Sequence, residues 1–256
     1  MEFTTLLAIA LAGALASPLG GAIAVWKRPT TLALSIAVGF ATGALLGAFA
    51  FEMLPKAAEV ASLPVAVGGF ALGFSCLYAL DLFVHRGASA GEKASQRNWV
   101  RSVQRRRHQR GDEVTVLAGG TSVEEVVEGL TIGISAATDP SLGLIVGLAI
   151  VIDNLSESLS IGDLIREKGG EHQARRILGW TGLIGGSLFV AAMAGWFLLR
   201  SLPQSTLGLL LAAGAGAMFY LTMTELVPEA ESHQFQQSSA IAAAIGLLVI
   251  FSLSNW

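Results

Sequence analysis

The sequence predicts an all-α polytopic membrane protein, with eight transmembrane helices in a 3+2+3 inverted-repeat bundle. Three observations predict it. Apolar residues fall in long runs, basic residues gather in alternate loops, and short acidic motifs recur in spans that run in opposite directions.

The runs come first. Of the 256 residues 53% are hydrophobic and only 14% charged, too few charges to clothe a soluble domain of this length. A run of about 20 apolar residues matches a helix crossing roughly 30 Å of hydrocarbon. Only helices and closed barrels satisfy every backbone polar group there, and the absence of strict alternation selects helices. The expected spans are Phe3–Trp26, Thr31–Pro55, Leu63–Val84, Val114–Thr138, Ser141–Ile165, Ile177–Leu199, Thr206–Pro228 and Ser238–Ser254. The chain reads as one transmembrane domain, residues 1–256. Ala14–Ala16 resembles a signal-peptide cleavage site, but Met1 to Thr5 carry no Lys or Arg, so the first span is expected to stay uncleaved.

Charge sets the expected orientation. Fourteen of the 16 Lys and Arg residues lie in the first, third and fifth loops, leaving Lys56 and Arg200 for the other side. The positive-inside rule then puts those loops in the cytoplasm and both termini outside, in a plasma (inner) membrane. The loop over 85–113 holds Arg105, Arg106, Arg107 and Arg110. It is expected to be a solvated cytoplasmic topology signal, with no nucleic-acid partner. Trp26, Trp180, Trp196 and Trp256 read as interfacial aromatic residues. The single cysteine, Cys76, excludes internal disulfides and thiolate metal clusters, and its apolar setting suggests a small core residue.

Repeats supply the third observation. Gly43 precedes the stretch Glu52-Met53-Leu54-Pro55 as Gly216 precedes Glu225-Leu226-Val227-Pro228. In the central pair, Glu124-Glu125-Val126-Val127-Glu128-Gly129 aligns with Asp153-Asn154-Leu155-Ser156-Glu157-Ser158. Both matches join spans of opposite direction. Transporters with such repeats carry their site near the midplane, at the repeat interface.

The chemistry lies in the central pair. A carboxylate at mid-bilayer costs about 2.5–3.5 kcal/mol on insertion scales. Glu124, Glu125, Glu128, Asp153 and Glu157 all fall inside spans that hold no Lys or Arg. Glu124 and Glu128 share a helix face by their i,i+4 spacing, as do Asp153 and Glu157. Two antiparallel helices thus direct four carboxylates into one cavity. Glu125 and Asn154 sit about 100° further round and either border that cavity or build an adjoining one. A divalent cation would offset the repulsion between the acids, and an all-oxygen shell suits Mn²⁺, Mg²⁺, Ca²⁺ or Fe²⁺. Glu52 at the outer mouth, and Asp163, Glu225 and Glu229 at the cytoplasmic one, are candidate pathway residues. Aspartyl-protease, prenyl-diphosphate, phosphate-loop and HExxH motifs are not found, so no enzyme and no organic cofactor are expected.

These motifs resemble those of the ZIP (Zrt/Irt-like protein) family of divalent metal transporters. The family's fourth span usually reads H-N-x-P-E-G, where this chain has Glu124 to Gly129. The fifth usually reads H/Q-N/D-x-P-E-G, matched by Asp153 to Ser158, and the seventh H-E-x-x-P-E, matched by Thr224 to Glu229. The resemblance implies that Glu128 and Glu157 are bridging metal ligands. Glu124 and Asp153 would take the first-position His or Gln, and Glu125 and Asn154 the second-site positions. It also implies an elevator-like movement and a homodimer. The chain departs from the pattern in having no His in the core motif and no proline at Val127 or Ser156. The sixth-span glutamate is also missing from Thr181 to Gly186. The expected function is transport of Zn²⁺, Mn²⁺ or Fe²⁺ into the cytoplasm, the ion being substrate. The carboxylate count favours Mn²⁺ or Fe²⁺, whereas the resemblance favours Zn²⁺. A non-transporting metal-binding or sensor protein of the same fold is the alternative.

Overall fold

The computed structural model describes residues 2–84, 113–169, 172–232 and 235–255. The basic loop at 85–112 and Trp256 lie outside them.

Every described element is a helix. α1 is Glu2–Trp26 and α2 is Thr31–Gly47. A π-helical segment, Ala48–Met53, leads from α2 into α3, Leu54–Val60. α4 (Leu63–Val84), α5 (Glu113–Thr138), α6 (Pro140–Lys168) and α7 (Gln173–Leu199) follow. α8 (Gln204–Leu221) passes through a second π-helical segment, Thr222–Leu226, into α9, Val227–Ser232, and α10 is Gln236–Ser254.

Local chemistry sets these boundaries. The Thr30 side chain accepts a hydrogen bond from the Ala33 amide and caps α2. Asp139 caps α6 by accepting from the Ser141 amide at 2.9 Å, with Pro140 in the first turn, where no amide is needed. Each π segment sits just before a proline. The Leu54 amide reaches back five residues to the Phe49 carbonyl, and the Val227 amide reaches the Thr222 carbonyl in the same way. The widened turn absorbs the hydrogen bond that Pro55 or Pro228 cannot donate, so both helices continue instead of stopping.

Seven spans among the described residues are long and apolar enough to cross a bilayer. They are Phe3–Trp26, Thr31–Val60, Leu63–Leu80, Pro140–Glu167, Gln173–Leu199, Gln204–Ala230 and Gln236–Ser254. α5, the expected fourth span, is a helix of 26 residues. Its acids set it apart from these seven, since Glu124, Glu125 and Glu128 fall within two turns.

The helices pack as two groups. α1, α5, α6 and α7 pack mainly on one another, through α5 with α7, α1 with α6, and α1 with α7. α2 packs on α10 and α4 on α8, and these form the second group with α3 and α9. α6 meets α2 across the boundary and α5 meets α8. The apolar core runs through both groups and includes Met53, Ile132, Ile150, Leu188, Leu211 and Ile250.

Glycines set the closest approaches in the second group. A Cβ on Gly43 would run into the Ala243 carbonyl, and one on Gly246 into that of Phe40. A Cβ on Gly73 would meet the Ala213 carbonyl, and one on Gly216 that of Phe70. Small residues matter here because lipid gives no hydrophobic drive for helix association, leaving dispersion between closely approaching backbones.

Ion pairs mark the two ends of α6. Lys56 Nζ on α3 lies 3.3 Å from Asp139 at the start of α6 and 3.2 Å from Glu59. Arg28, after α1, holds Asp163 near the other end at 2.7 Å. Asp139 titrates below its ordinary value. Burial pushes the carboxyl up, but hydrogen bonds from the Ser141 side chain and amide, and then Lys56, outweigh it.

Two expectations are corrected. Cys76 is exposed, because α4 packs one face on α8 and presents the rest outward. Trp196 is buried rather than interfacial: the α5–α7 contact at Gly133 and Gly195 is close enough to enclose it.

Candidate functional site

Three side-chain contacts build a ladder between α5 and α6. Thr121 Oγ1 donates to Glu157 Oε1 at 2.9 Å, and Asn154 Nδ2 donates to Glu125 Oε2 at 3.1 Å. The Glu128 and Asp153 carboxyls share a hydrogen bond. The α5 partners ascend while the α6 partners descend, so the helices are antiparallel. The acids therefore face one another across the pair.

Glu125, Asp153 and Asn154 are buried, and Glu128 is 7% exposed. Glu124 and Glu157 are half-buried. Glu128 lies within electrostatic range of Glu125, Asp153 and Glu157. Glu125 therefore belongs to the same acidic layer as Glu128, and the i,i+3 pair Glu125/Glu128 is more enclosed than the i,i+4 pair Glu124/Glu128.

The second helix group adds charge. Glu225, in the second π segment, and Glu229, on α9, both act electrostatically on Asp153 and Glu157. Sequence reasoning placed them at a mouth of the pathway, whereas the fold brings them within reach of the central acids. The signal that could have found this is Pro228 so soon after Glu225: a helix that widens instead of ending keeps both glutamates on the packed stretch. Glu52 occupies the matching place in the first π segment and is half-buried. Asp163 is bound to Arg28.

Buried oxygens without a hydrogen-bond partner concentrate here. Among the described residues they include Glu125 Oε1, Glu128 Oε2, Asp153 Oδ1, Asn154 Oδ1 and Ser156 Oγ. A buried polar atom left unpaired costs about 1–3 kcal/mol, more for a charged group. Such a set of acceptors suits a cation, which satisfies several lone pairs at once. Among the described residues no three His, Cys, Asp or Glu side chains close on one point as a finished metal shell. The layer supplies donors of the right chemistry without a preformed tight cage.

No family model matches the chain. It is 29% identical over 257 residues to the zinc transporter ZupT of Corynebacterium efficiens, covering 96% of this chain and 94% of that protein. The zinc transporter ZupT of Corynebacterium glutamicum is 28% identical over 94% of this chain and 95% of its own length. That of Escherichia fergusonii is 27% identical over 94% and 91%. The chain is therefore a homologue of zinc transporters named ZupT, and its resemblance to the ZIP family extends over nearly its whole length.

Proposed function

We propose that the chain carries divalent metal cations, Zn²⁺ among them, across a plasma membrane into the cytoplasm through the acidic layer between α5 and α6. The observation that carries this reading is the set of unpaired buried oxygens on Glu125, Glu128, Asp153 and Asn154. In this reading Glu128 and Glu157 bridge the ion, Glu124 and Asp153 complete its shell, and Glu125 with Asn154 offer the second position. Glu225 and Glu229 draw the ion along its path, with Glu52 and Asp163 at the two ends. The homologues named as zinc transporters favour Zn²⁺, while the all-oxygen shell keeps Mn²⁺ and Fe²⁺ as substrates.

The 3+2+3 inverted repeat belongs to the same proposal and has its own support. The pairing of α2 with α10 is mirrored by α8 with α4, and that of α1 with α6 by α7 with α5. Gly43 and Gly216 are separated by the same number of residues as Gly73 and Gly246, and as Glu52 and Glu225. All four glycines meet carbonyls of the partner helix. The two helix groups support an elevator-like transport step, with α1, α5, α6 and α7 moving against the rest. Outward-facing termini rest on the basic loops, and the homodimer rests on the family resemblance.

The test is uptake into proteoliposomes, comparing Zn²⁺, Mn²⁺, Fe²⁺, Cd²⁺ and Mg²⁺. The native protein should give saturable uptake, lost by at least about 100-fold in the Glu128→Ala, Glu157→Ala double variant, since each substitution removes a charged ligand. The order of ions decides between the hard-shell and zinc arguments. Metal binding without uptake of any ion would replace transport with the non-transporting metal-binding or sensor reading.

A further inference from the structure

Away from the acidic layer, the start of α7 carries a second charged feature. Arg175, Arg176, Gly179, Trp180 and Leu183 line a groove of about 390 Å³ on the outside of the bundle. Its cationic end lies where α6 ends and α7 begins, and Asp163, near the end of α6, is already bridged to Arg28.

Further along α7 the surface is open. A Cβ on Gly179, Gly182 or Gly186 would meet nothing within 4 Å. These three glycines follow one another at helical spacing, so they share one exposed face. Leu178 and Leu183, 43% and 51% exposed, flank them. The helix rises about 1.5 Å per residue, so Arg176 and Gly186 stand roughly 15 Å apart, about half the thickness of the hydrocarbon core. Charge, aromatic ring and apolar trough thus follow in the order headgroup, interface, acyl chain.

We propose that this groove binds an anionic phospholipid. Arg175 and Arg176 hold its phosphate, Trp180 lies beside its glycerol, and one acyl chain covers Gly179, Gly182 and Gly186. Guanidinium groups pair with phosphate through parallel hydrogen bonds, an indole settles at the interface, and basic pockets at helix ends take lipid headgroups. The glycine trough selects a lipid over a free anion, because only a lipid brings a chain to fill it.

The test uses purified full-length protein in micelles carrying phosphatidylcholine, titrated with phosphatidylglycerol or phosphatidylcholine brominated on the acyl chains. The chain has five tryptophans, so the Trp180 signal is the difference between native and Trp180→Phe emission. Brominated phosphatidylglycerol should half-quench it at a mole fraction roughly ten-fold lower than brominated phosphatidylcholine, as two nearby arginines imply. Arg175→Gln with Arg176→Gln should erase that preference. Gly182→Leu with Gly186→Leu should weaken quenching by both lipids while the arginines stay in place. Inorganic phosphate should not relieve quenching.

Equal quenching by the two lipids in the native protein, which needs no variant, would overturn the proposal. So would a preference that survives loss of both arginines. Relief by inorganic phosphate would reduce the groove to an anion site, and quenching that falls as protein concentration rises would assign it to a second copy of the chain. Either would overturn the lipid reading.

Discussion

At the scale of single residues, the acidic layer is held together against its own electrostatics. Glu128 lies in range of three other carboxyls, and its own Oε2 is buried with no partner. Removing one charge while keeping the shape should therefore stabilise the metal-free protein. Glu128→Gln relieves the repulsion, and its amide can donate to Asp153, which an ionised Glu128 cannot do. The expected gain is about 1–3 kcal/mol, or a few °C in Tm for a chain of this size. On the proposed function Zn²⁺ should raise the Tm of the native protein, and the same variant should lose that stabilisation. Thermal unfolding in detergent with a chelator, then with Zn²⁺, reads both effects. A variant less stable without metal would mean that Glu128 serves packing rather than ion binding. Much of this layer was legible in the sequence, because acids inside apolar spans can be recognised by cost alone and the aligned repeats matched Glu125 with Asn154. Glu225 and Glu229 were legible as pathway candidates, but their electrostatic reach to Asp153 and Glu157 was not. It depends on how α8 and α9 pack beside α6, and spacing along one helix carries no record of its neighbours.

At the scale of elements, the two π segments explain why a proline reads as a helix end in sequence yet does not act as one. The sequence placed the ends of the second and seventh spans at Pro55 and Pro228, whereas the chain continues helically to Val60 and Ser232. A bond shifted from four residues to five leaves no mark in hydrophobic periodicity. The extra turn after Pro55 carries Lys56, and Lys56 reaches Asp139 in the other helix group. This ion pair ties α3 to the start of α6. Its contribution to stability is expected to be modest, about 1 kcal/mol or less, because both partners remain partly exposed. Its pH dependence has a definite sign. Asp139 has a lowered value in the folded protein, so its contribution is complete above the ordinary aspartate range and disappears as pH falls through the lowered folded value. Native protein should therefore exceed Lys56→Gln in unfolding free energy at neutral pH, and the gap should close on acidification below pH ~4. Denaturant unfolding at a series of pH values measures it. A gap that stays constant into acid would show that Lys56 acts through Glu59 or through its aliphatic stem.

At the scale of the whole molecule, the long apolar helices and the acids that interrupt them were legible, because each leaves a local trace in composition. The division into two helix groups was not. Which spans pair is decided by close contacts such as Gly43 with Ala243 and Gly73 with Ala213, between residues far apart in the chain. That division matters because the acids of α5 and α6 belong to one group, and Glu225 and Glu229 to the other. Sliding one group along the other would separate Asp153 and Glu157 from these two glutamates and move the ion with α5 and α6. Cys76 gives a handle on this motion, being the chain's single cysteine and exposed on α4. A second cysteine at Val190→Cys, a position 67% exposed on α7, places the other spin label in the opposite group. One at Ile245→Cys, 50% exposed on α10, places it in the group that contains α4. Pulsed electron resonance in lipid should then show the Cys76 to Val190→Cys distance shifting by about 5 Å or more on adding Zn²⁺, the size of a one-turn displacement. The Cys76 to Ile245→Cys distance should stay fixed, and Glu128→Ala should abolish the shift. If neither distance changes, transport proceeds without relative motion of the groups; if both change equally, the bundle does not move as two bodies.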